Sequence, residues 1–390
     1  MGQNNKQQIL FLTGTRADYG KLKPLMSAVN SSDEYGCKIF ATGMHTLDKY
    51  GFTIEEVRAG GFQEVYMYVN QIVGEPMDLI LANTIHGLAR YVHDNEPDLI
   101  VVHGDRVEAL AGAIVGSLRN IKVAHIEGGE LSGTIDELIR HSVSKLSHVH
   151  FVANEEAASR LMQMGEEKKS IYVIGSPDID VMLSDDLPSI EEVKKHYEID
   201  FQEYGLSLFH TVTTELDNLA DYAKSYVDAL IESKKNYVVI YPNNDEGTEI
   251  IMRELKRLEG NKNFRILPSM RFEYFLSVLK NTDFVIGNSS AGIREAPVYA
   301  VPTINIGTRQ NNRYEYSSII NIGHDKKSIL KAIKAAENLD PQEPSTYFGE
   351  GNSFKLFMKT LENKAFWDIK AQKQFKDISE AMGLYQRDVA

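Results

Sequence analysis

What most constrains the fold of this chain is an alternation repeated along its length. Short apolar runs rich in Val and Ile are separated by longer segments in which apolar residues recur at helical spacing. Apolar runs of this length, bounded by helices, read as strands buried on both faces, and their alternation with helices is the pattern of parallel βαβ units. In the first half the runs fall at residues 9–12, 38–41, 99–102, 123–126, 150–152 and 171–174, with helices expected over 76–95, 107–119, 135–147 and 154–165. The pattern pauses at two groups of breakers, Gly175-Ser176-Pro177 and Asp185-Asp186-Leu187-Pro188, which mark a domain junction. A second series follows at 206–209, 238–241, 264–267, 284–287 and 303–306, with helices over 219–233, 248–259 and 272–281. The expected fold is therefore α/β: two Rossmann-like doubly wound domains, residues 1–180 and 181–365, with a cleft between them. A helical stretch at 366–384, in a terminal segment 366–390, is expected to pack back on the first domain.

Composition narrows the function. The chain has 390 residues, 43% of them hydrophobic, enough to bury the cores of two domains. A formal net charge of -13 argues against nucleic acid as a partner, because phosphate backbones need a basic surface. The single cysteine, Cys37, has no partner for an intramolecular disulfide and reads as a small buried residue beside a strand. The polar start at residues 1–6 leads into a short strand without the apolar core of a signal peptide, and no run approaches the ~20 apolar residues of a membrane span. A soluble, cytoplasmic protein without a membrane partner is expected.

In parallel sheets, ligands bind beyond the carboxyl ends of the strands. There this chain places His103-Gly104-Asp105-Arg106, His125-Ile126-Glu127-Gly128-Gly129-Glu130 and Gly133-Thr134-Ile135-Asp136, so Asp105, Glu127 and Asp136 should gather at one rim. A carboxylate at a strand end can simply cap the next helix. Three of them, interleaved with His103 and His125, fit general acid–base chemistry, since clustered carboxylates raise one another's pKa and leave one protonated beside another ionised. The set has no Cys and no His pair at metalloprotease spacing, so neither a metal nor another cofactor is expected.

Gly14-Thr15-Arg16-Ala17-Asp18-Tyr19-Gly20 links the first strand to a helix expected to begin near Lys21. Its glycines suit a tight turn, and Arg16 beside the helix start either attracts an anion or pairs with Asp18. The spacing is neither the dinucleotide fingerprint nor a Walker A loop. Asn288-Ser289-Ser290-Ala291-Gly292 either caps a helix or cradles a phosphate with two hydroxyls and free backbone N–H groups. His210, at a strand end beside Asn243 and Asn244, is either structural or placed to neutralise a leaving phosphate.

Taken in order, these blocks resemble a known family. Together with Thr42-Gly43-Met44-His45, Arg140-His141, Gly287-Asn288-Ser289-Ser290 and Gly307-Thr308-Arg309-Gln310, they resemble the hydrolysing UDP-N-acetylglucosamine 2-epimerases, from residue 9 to beyond residue 313. Within that family the likeness is to the bacterial enzymes that supply N-acetylmannosamine for sialic acid synthesis. The resemblance implies a glycosyltransferase-B-like fold with UDP in the cleft, no cofactor, and a homodimer or homotetramer. It implies loss of UDP by anti elimination to 2-acetamidoglucal, then syn hydration. By the same resemblance Asp105 and Glu127 handle the C2 proton on the two faces, Asp136 helps deliver water, and His45 belongs to the active site. Substrate contacts are implied for Arg16, Ala17, Arg106, His210, Asn243, Arg271, Ser289, Ser290, Glu295 and Arg309. Phe275 is either a uracil-stacking ring or a core aromatic. Thr211 stands where the family often has Pro, which leaves the loop geometry after His210 open. Arg106 suits the hydrolysing branch, because the nonhydrolysing enzymes carry a small residue there. Two alternatives remain: the same reaction on a UDP-2,4-diacetamido-trideoxyhexose, and a UDP-sugar glycosyltransferase.

Overall fold

A computed structural model of the protein describes residues 6–132 and 135–376. The first sheet comprises β1 (Gln7–Thr13), β2 (Tyr35–Ala41), β3 (Glu64–Met67), β4 (Leu99–His103), β5 (Lys122–Ile126), β6 (Val149–Val152) and β7 (Ile171–Val173), in the order β3-β2-β1-β4-β5-β6-β7. The second comprises β8 (Gly205–Leu208), β9 (Tyr237–Ile240), β10 (Phe264–Leu267), β11 (Phe284–Gly287), β12 (Thr303–Ile306) and β13 (Ile319–Ile322), in the order β10-β9-β8-β11-β12-β13. Every pairing is parallel. Two doubly wound sheets with a cleft between them make the architecture glycosyltransferase-B-like.

The central strands are largely apolar because helices cover both faces. Along β1 the side chains alternate: Ile9 and Phe11 enter a core with Leu22, Leu25 and Ile39, while Leu10 and Leu12 enter another with Phe40, Leu88 and Val92. The second sheet repeats the arrangement, with Leu206 and Val238 on one face and Tyr237 and Val239 on the other. Of the four edge strands, β7 and β10 meet the apolar-run criterion and the short β3 and β13 escape it. In β3 every second residue is exposed, as befits an edge that must not recruit another strand.

The helix expected near Lys21 starts earlier, at Arg16, and runs to Asn30. Thr15 and Asp18 form a reciprocal capping box, which fixes that start. Gly20 is therefore a helix residue and no turn glycine: a Cβ there would come within 2.3 Å of Phe272 Cβ in the second half. The chain leaves the first sheet at Gly175 (φ 80°) and returns at Gly349 (φ 140°), and the two crossings touch, a Cβ on Gly175 falling 3.2 Å from Gly349 Cα. The return begins earlier than residue 366. Phe357 and Leu361 of the helix Ser353–Leu361, with Phe366, pack into the first core against Phe151. Helix Lys364–Trp367 ends where a long helix is expected; residues 368–376 are not helical, and 377–384 lie outside the described residues. No helix among the described residues is long and apolar enough to cross a membrane.

Candidate active site

In each sheet the strand order reverses beside its first strand, between β1 and β4 and between β8 and β11. Loops diverge at such points and leave a crevice. Here the two crevices open on one cavity of about 300 Å³. From the first half it is lined by Arg16, Ala17, Asp105, Arg106, Glu127 and Asp136; from the second by His210, Asn243, Phe275, Ser289, Ser290, Glu295 and Arg309.

Two expected site residues do not line it. Gly43 turns the chain at positive φ (63°), so His45 points inward beneath β1 and is fully buried. Its Nδ1 lies 2.6 Å from Thr53 Oγ1 and its Nε2 3.0 Å from Thr13 Oγ1. Burial pushes its pKa down to about 4, so it is a neutral brace. Arg271 is exposed before the helix Phe272–Lys280, its guanidinium 5.0 Å over the Tyr274 ring. Gly133 and Thr134, read from sequence as part of the third carboxylate block, lie outside the described residues.

On the first-half rim, charge is paired and buried. Arg140, from the helix Ile135–Leu146, grips Asp105 and donates to the Glu127 carbonyl at 2.9 Å. Lys21 reaches Glu295 at 2.7 Å and Asp178 at 3.2 Å. Arg294, from the other half, lies 2.8 Å from Glu127, contacts Glu130 with its second amino group, and sits 4.6 Å over the Phe348 ring. Arg313 meets Glu130 at 3.0 Å. Glu127 adopts φ 65°, a left-handed conformation costing a non-glycine residue roughly 1 kcal/mol or more, and these contacts hold it there. The acid–base expectation needs correction at this point. Burial alone would raise the pKa of these carboxyls, yet Arg140 at Asp105, Arg294 at Glu127 and Glu130, and Lys21 at Asp178 outweigh it. All four are held below their ordinary range. Paired cations, rather than mutual repulsion, set their ionisation.

The second-half rim is mainly neutral, with Glu295 and Arg309 among its charged members. Asn288 is buried and joins two loops: its Oδ1 accepts from the His210 N–H at 2.7 Å and its Nδ2 donates to the His210 carbonyl at 2.8 Å. His210 Nδ1 accepts from the Asn243 N–H at 3.1 Å, so the ring proton sits on Nε2. Burial, with Arg309 and Arg106 nearby, holds this imidazole well below 6.5 and therefore neutral. Thr211 follows in irregular chain, and these contacts form without the family's Pro. Arg309 bridges the rims, 3.3 Å from Asp136. Arg16 does not pair with Asp18: it donates to Glu56 and to Ser269 of the second half at 2.7 Å, while Asp18 caps the helix. Among the described residues no group of three or more His, Cys, Asp or Glu is arranged to hold a metal.

Lys21, Glu130, Asp178, Arg294 and Arg313 escaped the sequence reading as site residues. The one available signal was charge amid apolar neighbours, as at the pair Arg294-Glu295 between Ile293 and Ala296.

Residues 27–362 match the family described as UDP-N-acetylglucosamine 2-epimerase. The chain is 50% identical over 376 residues to the UDP-N-acetylglucosamine 2-epimerase of Neisseria meningitidis serogroup B, covering 96% of this chain and 100% of that protein. It is 31% identical to the UDP-N,N'-diacetylbacillosamine 2-epimerase (hydrolyzing) of Legionella pneumophila, covering 91% and 96%. The fold matches the crystal structure of Methanocaldococcus jannaschii UDP-GlcNAc 2-epimerase in complex with UDP-GlcNAc and UDP, with a TM-score of 0.78 at 22% identity over 91% of this chain and 99% of that one. With the motifs in order, the two facing sheets and this extent of identity, the chain belongs to the UDP-N-acetylglucosamine 2-epimerase family.

Proposed function

We propose that this protein converts UDP-N-acetylglucosamine and water to N-acetylmannosamine and UDP, the sugar then serving sialic acid synthesis. The observation that carries the reading is the division of one cavity into a carboxylate wall, Asp105, Glu127 and Asp136, and a wall of hydroxyl, imidazole and backbone donors at Ser289, Ser290 and His210. The 50% identity to the Neisseria protein supports the choice of sugar and nucleotide. Arg106 directly after Asp105 supports the hydrolysing form.

In this reading one of Asp105 and Glu127 removes the C2 proton while the C1–O bond to UDP breaks on the opposite face, giving 2-acetamidoglucal. Water then adds to C1, Asp136 taking its proton, as the other carboxyl delivers a proton to C2. The protein takes up two protons and gives back one, so each turnover releases one proton with UDP. An ionised carboxylate suits the first step. The second needs a protonated one, and the bound diphosphate provides for it: its negative charge offsets the cations that keep these carboxyls ionised and so raises their proton affinity. His210 Nε2–H and the Ser289-Ser290 hydroxyls suit the charge growing on the departing diphosphate.

Proton NMR of the purified chain with UDP-N-acetylglucosamine in deuterated water tests this. UDP and N-acetylmannosamine bearing deuterium at C2 are expected. UDP release with the C2 proton and configuration retained would replace the reading by transferase-type hydrolysis. Unchanged substrate would favour the second reading, a UDP-diacetamido-trideoxyhexose, for which the Legionella relative is the supporting observation.

A further inference from the structure

The strand β5 carries a histidine to which the proposed reaction assigns no part. His125 is fully buried, and its ring nitrogens hold two separate pieces of the site. Nε2 lies 2.8 Å from the Gly104 carbonyl and Nδ1 lies 2.9 Å from Ser144 Oγ. A carbonyl only accepts, so Nε2 bears the proton and Nδ1 accepts from the Ser144 hydroxyl. Burial pushes the imidazole down to about 3, which keeps it neutral and in this tautomer at working pH.

Gly104, at φ 71°, forms the turn from β4 to Asp105. Ser144 lies one turn beyond Arg140 on the helix Ile135–Leu146, and Arg140 grips Asp105. The contacts close a ring: Asp105 to Arg140, along the helix to Ser144, through His125 to Gly104, and by one peptide back to Asp105. The ring is packed from outside as well, since a Cβ on Gly128 would lie 3.0 Å from both His125 Nδ1 and Ser144 Oγ.

We propose that His125 is a positioning residue for Asp105: by holding the Gly104 carbonyl and the Ser144 hydroxyl at a fixed separation, it sets where the Asp105 carboxylate meets the sugar. The proposal rests on the function proposed above and deepens it. The test is a kinetic cycle with UDP-N-acetylglucosamine. His125→Phe fills the space without a donor and should lower kcat by ~10²-fold with little change in KM, because a displacement of about 1 Å at the reacting group costs that much. His125→Gln can return an N–H toward Gly104 and should recover most of the rate. Placed on Asp105→Asn, His125→Phe should lose less than twofold more, since the group it positions is already gone. The full loss in that background, or equal losses for Gln and Phe, would overturn the proposal.

Ser144→Ala, which removes one hydroxyl, covers the case in which His125→Phe does not fold; a severalfold fall in kcat is expected, and an unchanged kcat counts against the ring. Wild-type turnover in the same assay tests the reaction itself. Should it be absent, the crystal structure of Ser144→Ala or His125→Phe still decides the positioning role: an Asp105 carboxylate displaced from Arg140 supports it, and an unmoved one overturns it.

Discussion

At the switch point of the first sheet Asp105 and Glu127 line the cavity, Glu130 and Asp178 share their cations without lining it, and Lys21 and Arg140, with Arg294 and Arg313 of the second half, hold all four ionised. At the matching switch point of the second sheet the wall presents two serines and a neutral His210 held by the buried Asn288, with Glu295 and Arg309 among its charged members. Both stand beyond the carboxyl ends of parallel strands in the same winding. Topology thus decides where a ligand goes, and the pairing of side chains decides what each side can do with it. A wall of ionised carboxylates can move protons; a mainly neutral wall of donors can hold an anion.

The contrast breaks most severely at Arg294. Arg294→Met would leave Glu127, Glu130 and Asp178 buried with too little positive charge, and a stability loss of ~3–5 kcal/mol is expected in urea unfolding. A loss under ~1 kcal/mol would mean that Lys21 and Arg313 suffice. The next effect sharpens the division of labour. Asp105→Asn should lower kcat by ~10²-fold or more with KM little changed. Ser289→Ala should instead raise KM and weaken UDP binding severalfold, as loss of a hydrogen bond worth ~1 kcal/mol does, with kcat nearly intact. Equal effects on kcat from both would erase the distinction between the walls.

The smallest effect comes from acid. His45 and His125 have folded-state pKa values of about 4 and about 3, against 6.5 for a free imidazole. Below pH 6.5 the unfolded chain therefore binds more protons than the folded one, and stability falls as pH drops from 6.5 toward 3. The ionised carboxylates add their own loss only below about pH 4.5, their ordinary range. Between pH 7.5 and 5.5 a Tm decrease of a few degrees is expected by calorimetry. A flat Tm there would mean that these imidazoles are not the groups that matter.

Residues whose placement depends on chain neighbours were legible in the sequence. Asp105 and Ser289-Ser290 were found because each ends an apolar run, and a strand's carboxyl end is a local property. His45 was assigned to the site by its motif and lies behind the wall, because the Gly43 turn aims its ring at Thr13 and Thr53. Gly20 suggests a turn in sequence, yet it serves the close approach of Phe272, about 250 residues away. Edge strand β3 was missed because its alternating exposed residues break the apolar run that reveals a strand, and β13 because Asn321 interrupts its short run of isoleucines.

By itself, then, the sequence determined two series of βαβ units, the loops that end their strands, and the residue types those loops present, since periodicity and strand ends are encoded over a few positions. The tertiary structure alone decided which charges are neutralised, which histidines are braces, and which parts of the two halves touch. Those depend on partners such as Glu127 and Arg294, far apart along the chain and brought within 2.8 Å only when both halves close on the cavity, where low polarity makes each pairing strong.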